Sequence, residues 1–243
     1  MVDIHCHILH KYDDGSSSLS ESLEMARMAA DTGVTDIVVT PHFVGKASSL
    51  RTLTTLVERY RELQQAIRRE NIPVSLHLGA EILCTGETLK LAQEKRLPTI
   101  STTDYFLTEF YFDEDLDFMD SILRELTEAG YTPVVAHPER YEAIQQHPRI
   151  LEQWFRRGYV LQLNKGSILG SFGRRPEHAA RVILEAGLAH VVASDAHSAT
   201  RRTPHMGALH RWMEHHLRPD YARILLEENP RRIIRGEELV PVD

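Results

Sequence analysis

The residues of this chain best able to do chemistry fall at the ends of short apolar runs. His5-Cys6-His7 closes the first run, Thr40-Pro41-His42 the second and Gly79-Ala80-Glu81 the third. Thr108-Glu109-Phe110, Ala136-His137-Pro138-Glu139-Arg140 and Ser194-Asp195-Ala196-His197 close later ones. Residues two apart on an extended strand share a face, so His5 and His7 project together while Cys6 projects into packing. Two neutral imidazoles side by side suit a divalent cation. Adding Asp14, His42, Glu81, Glu109, His137, Asp195 and His197 gives nine candidate nitrogen and oxygen ligands. Nine are too many for one ion and point to two or three, with a carboxylate such as Glu81 bridging. The set needs no cysteine, which disfavours a thiolate-rich structural zinc site. Its mixture of imidazole and carboxylate suits manganese, zinc or iron better than magnesium.

Taken singly, each feature has an ordinary explanation. His-x-His and Asp-x-His are common, and an acid after a strand often caps a helix. What these explanations do not cover is that six of seven apparent strands deliver a His, Asp or Glu to one edge. Most of the other histidines among the 14 read as surface or packing residues, with His10 and His205 set apart because each lies near a loop of that edge.

The elements that must position these groups alternate along the chain. Runs at 2–5, 35–40, 74–78, 105–110, 132–137, 159–163 and 190–194 read as strands, and stretches near 19–32, 51–70, 115–129, 148–157 and 176–187 as amphipathic helices. Ser18 and Glu21 form a capping-box pair ahead of Leu19, Leu23, Ala26 and Ala30, and Gly33 supplies the stop; Gly130 and Gly187 do the same for later helices. This alternation predicts an α/β fold with a mostly parallel sheet, closed most economically as a seven-stranded β/α barrel, where reactive groups sit at the C-terminal strand ends. No repeat or Pro/Gly/Ser-rich linker divides the 243 residues, so 1–243 reads as one domain.

Composition narrows the function classes. With 42% hydrophobic and 26% charged residues the chain is too apolar for disorder. A net charge of −7 argues against nucleic acid as a partner. No apolar run reaches the roughly 18 residues a membrane span needs, and the start lacks a signal-like stretch. Two cysteines make no disulfide framework and fit a reducing, cytoplasmic compartment.

At these same residues the sequence resembles the PHP (polymerase and histidinol phosphatase) family, and within it the bacterial CpsB-like tyrosine phosphatases of capsule and exopolysaccharide systems. The resemblance is carried by Met1-Val2-Asp3-Ile4-His5-Cys6-His7-Ile8-Leu9, Asp13-Asp14-Gly15, Ser22-Leu23-Glu24-Met25-Ala26 and Thr40-Pro41-His42. It continues in Gly79-Ala80-Glu81-Ile82, Glu109-Phe110, Pro133 to Tyr141, Ala193 to His197, Pro204-His205-Met206 and Glu228-Asn229-Pro230. It implies a distorted seven-stranded barrel and a trinuclear cluster, typically of manganese, on His5, His7, Asp14, His42, Glu81, Glu109, His137, Asp195 and His197. It also implies phosphate-binding roles for Arg140 and Arg202, and as partner the tyrosine-rich tail of a membrane-associated autokinase. Phe43 stands where many relatives carry a second histidine, and Thr203 where proline is usual; both departures bear on the substrate-facing edge.

The chemistry expected is hydrolysis of a phosphomonoester. Clustered divalent ions neutralise the dianion and acidify a bound water, giving hydroxide in place, while arginine forks hold the phosphoryl oxygens. A phenolate leaving group has a pKa of about 10, so a general acid is optional; His42 is a candidate. A covalent cysteine mechanism needs Cys-x5-Arg, but Tyr12 and Lys90 stand six residues after Cys6 and Cys84. Two other readings stay open: a small-molecule phosphatase of the histidinol-phosphatase kind, and a catalytically silent PHP binding module.

Overall fold

Short β-branched and apolar runs separated by amphipathic helices give a parallel α/β architecture. In a computed structural model, residues 1–44 and 50–242 are described. The chain runs β1 (Val2–Cys6), α1 (Leu19–Ala30), β2 (Asp36–Val39), β3 (His42–Val44), α2 (Leu50–Arg69), β4 (Ser75–Leu78), β5 (Glu81–Leu83) and α3 (Gly86–Gln93). Then come β6 (Tyr105–Glu109), α4 (Leu116–Glu128), β7 (Thr132–Ala136), α5 (Glu142–Gln146), α6 (Leu151–Arg156), β8 (Val160–Asn164) and α7 (Lys165–Ile168). It ends with α8 (Arg174–Glu185), β9 (Val191–Ala193), α9 (Gly207–His216), α10 (Pro219–Arg223) and α11 (Asn229–Arg235). The helices expected near 19–32, 51–70, 115–129, 148–157 and 176–187 correspond to α1, α2, α4, α6 and α8. Helix α3, the short helices α5 and α7, and α9 to α11 lie outside those stretches.

The strands depart from the expected seven in one barrel. Nine form two wholly parallel sheets, ordered β1-β2-β4 and β3-β5-β6-β7-β8-β9, with no closed sheet among the described residues. The difference comes from two interruptions. Thr40-Pro41 separates β2 from β3, and Pro41 has no N–H to give a ladder. Gly79-Ala80 separates β4 from β5, and at Gly79 a Cβ would stand 2.8 Å from Val38 Cγ1, so only glycine fits. Backbone bonds bridge both breaks: Gly79 N–H donates to the Val39 carbonyl at 3.0 Å and Glu81 N–H to the Pro41 carbonyl at 3.1 Å.

Alternation along the strands sorts the core into two layers. Ile4, Val38, Leu107, Val134, Val160 and Val191 share one buried cluster, whereas Cys6, Ile37, Phe106, Val135, Leu161 and Val192 pack in the other with helical residues such as Met25, Leu63 and Ile183. The register of β1 against β2 shifts between Asp3 and Cys6. Burying a Leu or Ile side chain contributes about 2 kcal/mol, so this pattern holds the strand ends firmly.

Helix α1 starts as anticipated, with half the capping box. The Ser18 hydroxyl accepts from Glu21 N–H at 3.2 Å, but the Glu21 carboxylate turns outward to the Ser17 backbone and hydroxyl. Among the described residues no helix is long and apolar enough to cross a membrane.

Candidate metal centre

Glu81 opens β5 at the centre of the site and is 1% exposed. Its Oε1 lies 3.2 Å from His5 Nε2 and 3.0 Å from His137 Nε2; its Oε2 lies 3.1 Å from His7 Nε2 and 3.2 Å from His42 Nδ1. Glu109, ending β6, reaches His42 Nδ1 at 3.1 Å. Asp195 Oδ1 stands 3.4 Å from His5 Nε2 and 3.6 Å from both His7 Nε2 and His197 Nδ1. Asp14 Oδ1 lies 3.3 Å from His42 Nε2 and 3.6 Å from His197 Nε2. All nine residues singled out in the sequence therefore meet in one place. Seven of them form overlapping donor groups, the ligand atoms of each within 4.8 Å of one another: His7, Asp14, His42 and His197; His5, His7 and Glu81; His42, Glu81 and Glu109.

A second layer of side chains sets the imidazole tautomers. Gln162 donates its amide N–H to the Leu163 carbonyl at 2.7 Å, which leaves its Oε1 to accept from His5 Nδ1–H at 2.8 Å. His7 Nδ1–H donates to Asp13 Oδ2 at 2.8 Å. Both Nε2 atoms thus turn toward carboxylate oxygens. Asp13 also accepts from the backbone N–H of His42 and of Gly15, and a Cβ at Gly15 would sit 2.2 Å from the His7 carbonyl oxygen. The turns carrying two of these candidates and a bordering arginine are strained: His137, Asp195 and Arg202 have φ of 36°, 49° and 47°, a region that costs a non-glycine residue about 1–3 kcal/mol and clusters at functional sites.

The electrostatics fit bound cations. Burial pulls the His5 imidazole pKa down, but the Glu81 and Asp195 carboxylates outweigh it and raise it to about 9. His7 rises to about 9 against the same burial, through hydrogen bonds to Asp13 and Glu81. Glu81 is held well below the carboxylate range despite its burial, chiefly by His5. Carboxylates and imidazoles crowd together here, and a divalent ion would bring the positive charge that protons otherwise supply.

Two arginines border the cluster. Arg140 Nη1 stands 3.5 Å from Asp195 Oδ2, and its guanidinium is sandwiched between the Phe112 ring at 4.3 Å and the Phe172 ring at 4.5 Å. Arg202 Nη2 pairs with the same Oδ2, as does the Asn164 amide. Asp195 therefore offers one oxygen to the imidazoles and the other to the arginines. Lys165, 7% exposed, donates to the carbonyls of Thr203 and His205 and fixes the loop that follows Arg202.

Other sequence candidates sort by contact. Both ring nitrogens of His42 face carboxylates, which suits a ligand and leaves neither nitrogen open for proton donation. His10 turns to Glu62 at 3.2 Å, and His205 lines a cavity of about 410 Å³ shared with Lys165 and Arg202. Phe43 is 2% exposed and packs in the core, so the departure there does not face the site. Cys6 and Cys84 are free and buried; burial pushes Cys6 well above the usual thiol range and Cys84 up to about 12. Neither is a thiolate nucleophile.

Sequence reasoning missed the supporting residues Asp13, Gln162, Asn164, Lys165, Phe112 and Phe172. Two of them left a signal: Gln162 and Asn164 are polar residues two apart in the otherwise apolar β8, a spacing that puts both on one face.

Residues 1–235 match the family model of capsular polysaccharide synthesis, CpsB/CapC. The tyrosine-protein phosphatase YwqE of Bacillus subtilis is 35% identical over 210 residues, covering 84% of this chain and 80% of its own. The tyrosine-protein phosphatase CpsB of Streptococcus pneumoniae is 30% identical over 242 residues, covering 98% and 99%. A solved structure from the pair YwqE and CpsB, described as unique metal-dependent tyrosine phosphatases, superimposes with a TM-score of 0.87 at 31% identity over 99% of this chain and 96% of that one.

Proposed function

Because the chain belongs to the CpsB/CapC family, we infer that it is a metal-dependent protein-tyrosine phosphatase. The observation that carries this reading is the convergence of four imidazoles, those of His5, His7, His42 and His137, on the single carboxylate of Glu81. His5, His7, Asp14, His42, Glu81, Glu109, His137, Asp195 and His197 would hold two or three ions. The oxygen and imidazole donors suit manganese, zinc or iron, and the family resemblance favours manganese among them. When bound, the ions would supply charge neutralisation for the phosphoryl group and acidification of a water nucleophile.

The chain's own residues do the positioning. Glu81 and Asp195 fix the spacing of the ligand rings, while Gln162 and Asp13 hold the His5 and His7 tautomers. Arg140 and Arg202, each tied to Asp195 Oδ2, would present planar forks to the phosphoryl oxygens. The Phe112 and Phe172 rings keep the Arg140 fork in one plane, so little side-chain entropy is lost when phosphate arrives. Cys6 and Cys84 take no part.

What supports reading the two sheets as walls of one distorted barrel, in a single domain, is the second edge of β1. There Asp195 N–H donates to the His5 carbonyl at 2.9 Å and His7 N–H to the Ala196 carbonyl at 2.8 Å. The physiological substrate read here is the phosphorylated tyrosine cluster of a bacterial autokinase governing capsule or exopolysaccharide export, met in the cytoplasm.

The test compares hydrolysis of a phosphotyrosyl peptide with that of histidinol phosphate by manganese-loaded protein, with and without chelator. Faster, chelator-sensitive turnover of the peptide is expected. Preference for histidinol phosphate would favour the small-molecule reading, and no turnover of either would favour a silent module.

A further inference from the structure

Arg140 borders two spaces. One is the metal centre, where its Nη1 lies 3.5 Å from Asp195 Oδ2. The other is an open cleft of about 470 Å³, between α5 and the start of α8, walled by Phe112, Arg140, Glu142, Phe172, Arg174 and Arg175. Arg174 and Arg175 are exposed, and neither is ion-paired among the described residues.

Their placement opposes the needs of the helix they begin. Arg174 and Arg175 are the first two residues of α8, where the helix dipole favours negative charge and disfavours guanidinium. In a chain of net charge −7, two unpaired arginines at that position point to an anion brought from outside. Phe112 adds an apolar wall, 44% exposed although it stacks on Arg140, and neighbouring Tyr111 is 57% exposed.

We propose that this cleft is a subsite for one carboxylate side chain, Asp or Glu, close to the phosphotyrosine in the substrate segment. The proposal rests on the phosphatase reading above and deepens it. Arg140 is the shared wall, so a phosphotyrosine at the metal centre places its chain neighbours at the cleft mouth. An extended chain advances about 3.3–3.6 Å per residue, which brings a side chain one to three positions away within reach. Glu142 decides the charge of the occupant. With Arg140 engaged by Asp195, Arg174 and Arg175 against Glu142 leave a single net positive charge, which a carboxylate monoanion matches and a phosphate dianion exceeds. Arginine forks bind carboxylate in bidentate fashion.

The experiment uses manganese-loaded full-length protein and phosphotyrosyl peptides of equal length that differ only in Glu or Gln at positions one to three from the phosphotyrosine. The expected kcat/KM ratio of Glu to Gln peptides is on the order of tenfold, the equivalent of about 1.4 kcal/mol, carried by KM. In Arg174→Gln/Arg175→Gln the ratio falls to about two or less. A wild-type ratio near one, or a ratio unchanged in the double variant, overturns the subsite. A peptide with a second phosphotyrosine outpacing the Glu peptide overturns the carboxylate assignment. Failure of the wild type to cleave any peptide overturns the phosphatase reading itself and the subsite with it. The wild-type comparison stands even where the variant folds poorly.

Discussion

The Nε2 atoms of His5 and His7 stand 3.2 Å apart, with Nδ1 of each ring already committed, to Gln162 and to Asp13. The two atoms therefore meet like to like: two lone pairs if the rings are neutral, two N–H groups if they are protonated. Glu81 and Asp195 then surround them with carboxylate oxygens. A divalent cation would convert this crowding into a set of bonds.

The supporting residues are expected to tune metal affinity through the ring orientations of His5 and His7. Gln162→Leu and Asp13→Asn remove the tautomer restraints on His5 and His7, and each should weaken metal binding by about 10–100-fold. Competition with a chromophoric chelator measures it. Unchanged affinity in both variants would show that the rings are oriented by packing alone.

On the proposed reading Arg140 and Arg202, both paired with Asp195 Oδ2, would act on the phosphoryl group. Arg202→Lys and Arg140→Lys keep the charge but lose the planar fork, and should lower kcat/KM on a phosphotyrosyl peptide by about 100-fold. Metal content, read by elemental analysis, should stay at the wild-type value. A loss of metal equal to the loss of rate would place the arginines in cluster assembly instead.

Sulfur should be dispensable. Thiol alkylation of native protein is expected to spare activity, because Cys6 and Cys84 are buried with their thiols pushed above the usual range. Cys6→Ala and Cys84→Ala should each cost about 1–2 kcal/mol of stability while the rate with saturating manganese stays within about twofold. Abolished turnover in a folded cysteine variant would contradict the hydroxide route.

Acid sensitivity has an identifiable source away from the centre. Burial lowers the His190 imidazole to about 4; its Nδ1 accepts from Leu161 N–H at 3.1 Å, and its ring stacks on Phe155 at 4.7 Å. The unfolded chain binds this proton near pH 6.5 and the folded chain does not until about pH 4, so stability falls as pH drops through that window. Urea unfolding of metal-free protein should show the wild type losing up to about 3 kcal/mol relative to His190→Asn between pH 6.5 and 4. Parallel pH profiles would remove His190 as the cause.

Much of the centre was legible from chain order because strand alternation is local. His5 and His7 share a face whatever the register with β2, and the polar residues after β6, β7 and β9 gather wherever those strands run parallel. The seven-strand count failed where backbone chemistry intervened, at Pro41 without an N–H and at Gly79 pressed against Val38. Gln162 and Asn164 went unassigned because their partners lie far along the chain, whereas Asp13, six positions from His7, was overshadowed by the neighbouring ligand candidate Asp14. Gln162 meets His5 across 157 positions, and no spacing rule spans that distance. Helix α3 and the C-terminal helices α9 to α11 were likewise not marked by the amphipathic stretches, α10 and α11 being only five and seven residues long.

The centre can be counted directly. Crystals of manganese-loaded protein, with anomalous differences collected on both sides of the manganese edge, should show at least two peaks, one among His5, His7 and Glu81 and another among His42, Glu81 and Glu109. A single peak, or density located away from Glu81, would contradict a shared polynuclear site.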